Sequence, residues 1–173
     1  MSKAKRRAAR LVELDDVIRI AFHDDTEDDA LIGPTLRGHL ALEALMVEFL
    51  EFHQPNPTKD YWGWSFPDKA DGLLQASLIE NYHAEAFKAF NNFRNDLAHI
   101  FAKDVQAIDV HGFAGQLERL GIDFSDSLGK QRLSYAKEAY GGVRGILKEI
   151  IWCLLFELMQ CMADKGARNL NAA

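Results

Sequence analysis

The stretch NNFRNDLAHIF, residues 91–101, sets Arg94, Asn95 and His99 among side chains that belong in the core of a helix. A guanidinium suits an oxyanion, which it can grip through two parallel N–H bonds. An imidazole suits proton transfer near neutral pH, and a carboxamide between them can orient either group. The same three residues could instead form a polar network that ties helices together, with no chemistry at all. Geometry is the difficulty for the first reading. Five residues separate Arg94 from His99, about 140° around a regular helix. A local distortion, a groove lined from both sides, or a two-fold partner supplying a second copy would each solve it.

Glu43 belongs with this group. It falls on the stripe Leu36, Leu40, Val47, Leu50, where a lone carboxylate is costly. Arg94 is a candidate counter-ion, with Arg37 the nearer competitor. Asp96 is the other carboxylate that could support the site. The remaining chemistry-bearing residues form no recognisable pattern. No HExxH, CxxC, phosphate loop or nucleophile elbow occurs. His23 with Asp24 and Asp25 reads as a solvated acidic turn rather than a metal site, and His39, His53, His83 and His111 lack ligand spacing. Asp68 and Lys69 read as helix caps or surface charges. Neither a cofactor nor a metal is expected.

The elements that must position these residues are helices. Apolar periodicity predicts an amphipathic helix over 3–22, basic in its first turns, followed by the acidic connector HDDTEDD. GPT at 33–35 opens a second helix running to about His53. The loop QPNPTKDYWGWSFPD carries Trp62 and Trp64, aromatic residues of the kind that pin a loop to a core. Further helices are expected over about 67–79, 84–102 and 109–120. The last element, 131–165, is apolar toward its end and interrupted by Gly141, Gly142 and Gly145, so a bend or a close crossing is expected there. No strand-like alternation and no repeat appear. The fold expected is all-α, a single-domain bundle of five or six helices, with residues 1–34 packed on a bundle of 35–173.

Bulk properties agree. The chain has 173 residues, 48% hydrophobic and 27% charged, with a formal net charge of −6. Such a charge excludes a protein that coats nucleic acid by bulk attraction, so any contact with RNA must be local. Cys153 and Cys161 lie about 12 Å apart by helical rise, too far for a disulfide. They read as buried thiols in a reducing compartment. No signal peptide and no membrane-length apolar run are found, so a cytoplasmic protein without a membrane partner is expected.

Three blocks in order resemble a known group. HLALEALMVEFL, SFPDKADGLLQASLI and FNNFRNDLAHIF are similar to bacterial helical proteins that include the mannitol-operon-repressor-like family. RNDLAH resembles the Arg-x4-6-His signature of the HEPN domain (higher eukaryotes and prokaryotes nucleotide-binding). The resemblance covers about residues 35–105. It implies an all-helical fold, frequent dimerisation and, in catalytic members, a metal-independent endoribonuclease. Such members serve as toxins or in phage defence, beside an antitoxin or other partner protein; other members are non-catalytic regulators. Carried onto this chain, Arg94 would hold the phosphate and offset its growing charge. His99 would move protons at the 2′-hydroxyl or the leaving 5′-oxygen, and Asn95 would orient the phosphate or the imidazole. Some HEPN toxins carry a modifiable tyrosine two residues after the histidine. Phe101 stands there in this chain, against regulation by that route.

Overall fold

The computed structural model describes residues 31–55, 58–99, 106–124 and 126–167. The basic helix expected over 3–22, the acidic connector and His23, Asp24 and Asp25 lie outside these residues, as do Ile100 and Phe101. Among the described residues there are six α-helices and two short 3-10 turns, with no strand. The helices are α1 (Ile32–His53), α2 (Phe66–Gln75), α3 (Asn81–His99), α4 (Ala107–Leu120), α5 (Leu133–Ala139) and α6 (Val143–Asp164). The all-α class and the long C-terminal helix are therefore as expected.

Local chemistry sets the helix ends. Leu31 O accepts both the Thr35 backbone N–H at 3.1 Å and its hydroxyl at 2.7 Å. Pro34 sits in this first turn, where its missing N–H deprives no partner. The boundary expected after residue 34 thus falls inside α1. Ser65 caps α2: its Oγ accepts the Asp68 N–H at 3.3 Å and donates to Asp68 Oδ2 at 2.6 Å. In α4, Asp109 returns a bond to the Gln106 N–H at 2.9 Å, closing a capping box.

The expected element over 131–165 is two helices, not one. Gly141 and Gly142 take φ of 68° and 108°, values open to glycine at little cost. Gly142 N–H closes α5 onto Lys137 O at 2.7 Å, and α6 starts at the next residue. Gly145 serves a different purpose: a Cβ there would stand 1.7 Å from Tyr140 O. Only a residue without a side chain lets α6 leave the end of α5 at this angle.

Helix α6 is the structural centre, packed against α1, α3, α4 and α5. Ile146, Leu147, Ile150, Ile151, Leu154 and Leu158 are wholly buried along it. Helix α1 comes close where Gly38 meets Ile151, a Cβ at Gly38 lying 2.8 Å from Ile151 Cγ2. The buried face of α1 runs through Leu42, Leu45, Met46 and Phe49. Of the stripe expected to carry Glu43, Val47 and Leu50 are core, whereas Leu40 is 56% exposed and Leu36 half-buried. Contacts fix the directions. His39 meets Phe66 and Glu43 meets Lys69, so α1 and α2 run the same way. Meanwhile His39 bonds Asn91, and Lys88 bonds Asp71, so α3 runs back against both.

Candidate functional site

Two faces of α3 divide its work. Phe90 and Leu97 are buried, and Phe93 stacks on Phe113 with centroids 4.4 Å apart and planes 4° from parallel. The polar stripe beside them holds Asn91, Arg94 and Asn95, all half-buried. At about 100° per residue, Arg94, Asn91 and Asn95 fall within about 100° of one another. His99 is the last residue of α3, one turn beyond Asn95. Helical register sets Asn95 at an angle between Arg94 and His99; the side chain of His99 lies outside the described residues. Asp96 is exposed and about 140° around the helix from Asn91, away from the stripe.

Arg94 Nη1 donates to Asn95 Oδ1 at 2.8 Å, while its Nε is buried without an acceptor. Among the described residues, no carboxylate lies within ion-pair distance of this guanidinium. The expected Glu43–Arg94 pair does not form. The cation that Glu43 meets is Lys69, with Nζ 2.7 Å from Oε1. Lys69 is likewise no surface charge: its side chain is 0% exposed. Its ammonium also donates to Trp62 O at 3.5 Å and to Trp64 O. Three N–H donors thus meet three acceptors, and the aromatic loop is latched to α1 through one buried lysine.

His39 is the residue that sequence reasoning missed. It projects from α1, is 6% exposed, and stacks on Phe66 with centroids 4.2 Å apart. Its Nε2–H donates to Asn91 Oδ1 at 3.0 Å, joining α1 to the polar stripe of α3. Burial lowers its pKa from the ordinary 6.5; the Asn91 bond opposes that, and the Arg94 charge adds to it. A signal existed: His39 and Glu43 stand one turn apart among core positions such as Leu42 and Leu45, which calls for polar partners from neighbouring helices.

Below 6.5 the unfolded chain binds a proton on this ring that the folded chain resists, so stability falls as pH drops until the folded pKa is passed. Wild type is expected to lose more melting temperature than His39→Gln between about pH 7 and about pH 5, as followed by circular dichroism. Equal losses would show that the ring titrates alike in both states.

A second polar cluster has the composition of a Cys–His–Glu triad and the wrong wiring for one. His83 Nδ1 accepts the Glu80 N–H at 3.2 Å, so Nε2–H donates to Glu157 Oε2 at 3.0 Å. Cys161 Sγ stands 3.7 Å from Nε2, a nitrogen whose lone pair is already committed to its proton. No base is left to activate the thiol. Burial and Glu157 push Cys161 up to about 11, and burial with Glu149 raises Cys153 further. Both cysteines are free, as expected, but half-buried rather than fully buried. Alkylation by iodoacetamide at neutral pH is expected to run at least about tenfold slower than in the unfolded chain, because the thiolate is the nucleophile; equal rates by mass spectrometry would contradict this.

Among the described residues no group of histidine, cysteine and carboxylate side chains could hold a metal, and no helix is long and apolar enough to cross a membrane. Comparison with family models, curated proteins and solved structures finds no match to this chain.

Proposed function

We propose that this chain is a HEPN-like, metal-independent endoribonuclease, the toxin or effector of a toxin–antitoxin or phage-defence system, active in the cytoplasm as a homodimer. The observation that carries the reading is the half-buried Arg94, which has no counter-ion among the described residues. A guanidinium held in a greasy setting without a carboxylate keeps its charge for an anion. Asn95 accepts its Nη1 proton and so sets the fork, and His99 follows one turn later on the same helix. In this scheme His99 takes the 2′-hydroxyl proton, the 2′-oxygen attacks phosphorus as the bond to the 5′-oxygen breaks, and the departing 5′-oxygen takes a proton from water. Arg94 meets the charge that builds on the phosphate. The nucleophile belongs to the substrate, so RNA is cut and DNA survives.

The test is incubation of the purified chain with structured and unstructured RNA in excess EDTA. Cleavage leaving 2′,3′-cyclic phosphate ends supports the scheme. Intact RNA throughout, or cleavage that EDTA abolishes, overturns it. The rival reading is a non-catalytic regulatory protein, akin to mannitol-operon-repressor-like proteins. In that reading the latched aromatic loop would do the contacting, with Trp64 beside Asp68, Asp71, Gly72 and Gln75 at an open notch.

A further inference from the structure

The stripe on α3 is unusual in which of its polar atoms are already used. A carboxamide offers one acceptor oxygen and two donor N–H groups. Asn91 spends its oxygen on the His39 Nε2–H at 3.0 Å. Asn95 spends its oxygen on the Arg94 Nη1–H at 2.8 Å. Both amide nitrogens are thereby turned away from those bonds. With Arg94, which is donor only, the three residues carry N–H groups and one positive charge on this stripe. Each carboxamide oxygen is already engaged inside the protein. Asp96, the nearest carboxylate in sequence, sits round the helix and exposed. A surface that offers donors and positive charge while hiding its acceptors selects for an oxyanion and against a cation or a neutral donor.

We propose that Asn91 is a further substrate contact, donating from Nδ2 to a phosphate oxygen of the bound strand, and that His39 is the positioning residue that holds Asn91 in the donating orientation. This rests on the ribonuclease reading of Arg94 and extends it to a second helix. His39 is fit for the task. Its ring is fixed by the stack on Phe66 and enclosed by α1, α2 and α3. With the proton on Nε2, as the bond to Asn91 Oδ1 requires, rotation of the Asn91 amide would set N–H against N–H; the opposite orientation would need the proton moved to Nδ1. The charged and titratable groups facing His39 are Arg94, Glu43 and Lys69. The last two neutralise each other in their own pair, which leaves Arg94 to set the sign of the site.

The experiment measures binding apart from cleavage. A fluorescein-labelled 2′-O-methyl oligoribonucleotide lacks the nucleophile and stays intact, so fluorescence anisotropy at fixed low salt reports affinity alone. Asn91→Ala is expected to weaken binding about tenfold, the scale of one hydrogen bond to a charged oxygen. His39→Leu should weaken it by a similar factor. His39→Gln carries an amide N–H that can replace Nε2–H, and should bind within about threefold of wild type. Wild-type affinity in both Asn91→Ala and His39→Leu, with Arg94→Ala weakened, overturns this inference and leaves the ribonuclease reading standing. Wild-type affinity in Arg94→Ala, or no binding by wild type, overturns both. Should His39→Leu fail to fold by circular dichroism, Asn91→Ala with the His39→Gln control decides.

Discussion

His99→Ala is expected to lower the rate of RNA cleavage by about 10²–10⁴-fold, the usual contribution of a positioned general acid or base. Arg94→Ala should cost about 10²–10³-fold, the scale for losing one donor to developing charge. The double variant should fall little further, because residues acting on one transition state are not additive. Expression of wild type should arrest growth, and either substitution should relieve the arrest. What separates catalysis from scaffolding is the accompanying stability. Arg94 bonds to its own helix neighbour Asn95 and pairs with no carboxylate among the described residues. Its loss should therefore cost less than about 1 kcal/mol. If the trio were a structural lock, Arg94→Ala would instead lower the melting temperature clearly and no RNA would be cut in any variant. Rates from single-turnover cleavage, set beside thermal melts of the same preparations, distinguish the two.

Legibility in the sequence followed the range of the interaction. Helices α3 and α6 were readable because Phe90, Phe93 and Leu97, or Ile146, Ile150 and Leu154, recur at helical spacing, and tertiary packing merely used the face already written. The break near residue 141 was readable as glycine, but its sharpness was not. The reason for Gly145 is a backbone oxygen, that of Tyr140, whose position depends on how α5 ends. The counter-ion of Glu43 was beyond reach for the same cause. Arg94 and Arg37 looked eligible by type, whereas Lys69 sits one turn after a Ser65 cap and Pro67, where lysine ordinarily faces water. Only the parallel packing of α2 on α1 turns it inward, under a loop whose carbonyls need donors. His39 was passed over because its partner, Asn91, is 52 residues away. Spacing rules look for ligands near one another in the chain, and a helical bundle assembles its polar contacts between distant turns.

The buried lysine carries the largest stability effect expected in the molecule. Glu43→Gln removes the charge that faces Lys69, whose side chain is wholly buried while Glu43 keeps 20% exposure. Breaking one side of a buried pair typically costs about 3–5 kcal/mol, and the residual exposure of Glu43 argues for the lower end, about 3 kcal/mol. At this chain length that is a fall of about 6–12 °C in melting temperature. Lys69→Met should also destabilise, for a different reason. The released carboxylate can turn to water, but the Trp62 and Trp64 carbonyls lose their donor, at about 1–3 kcal/mol for each acceptor left buried. The loop should then loosen, and tryptophan fluorescence should shift to longer wavelength well below the melting temperature in Lys69→Met and not in Glu43→Gln. Lys69→Arg should not rescue, because a planar fork cannot converge on three acceptors disposed around a point charge. A double-mutant cycle with Glu43→Leu and Lys69→Met isolates the pair from the loop. If the double variant equals wild type in stability, the carbonyl bonds contribute nothing and the latch is only an ion pair. If it stays well below wild type with the fluorescence shift retained, Lys69 holds the aromatic loop against α1.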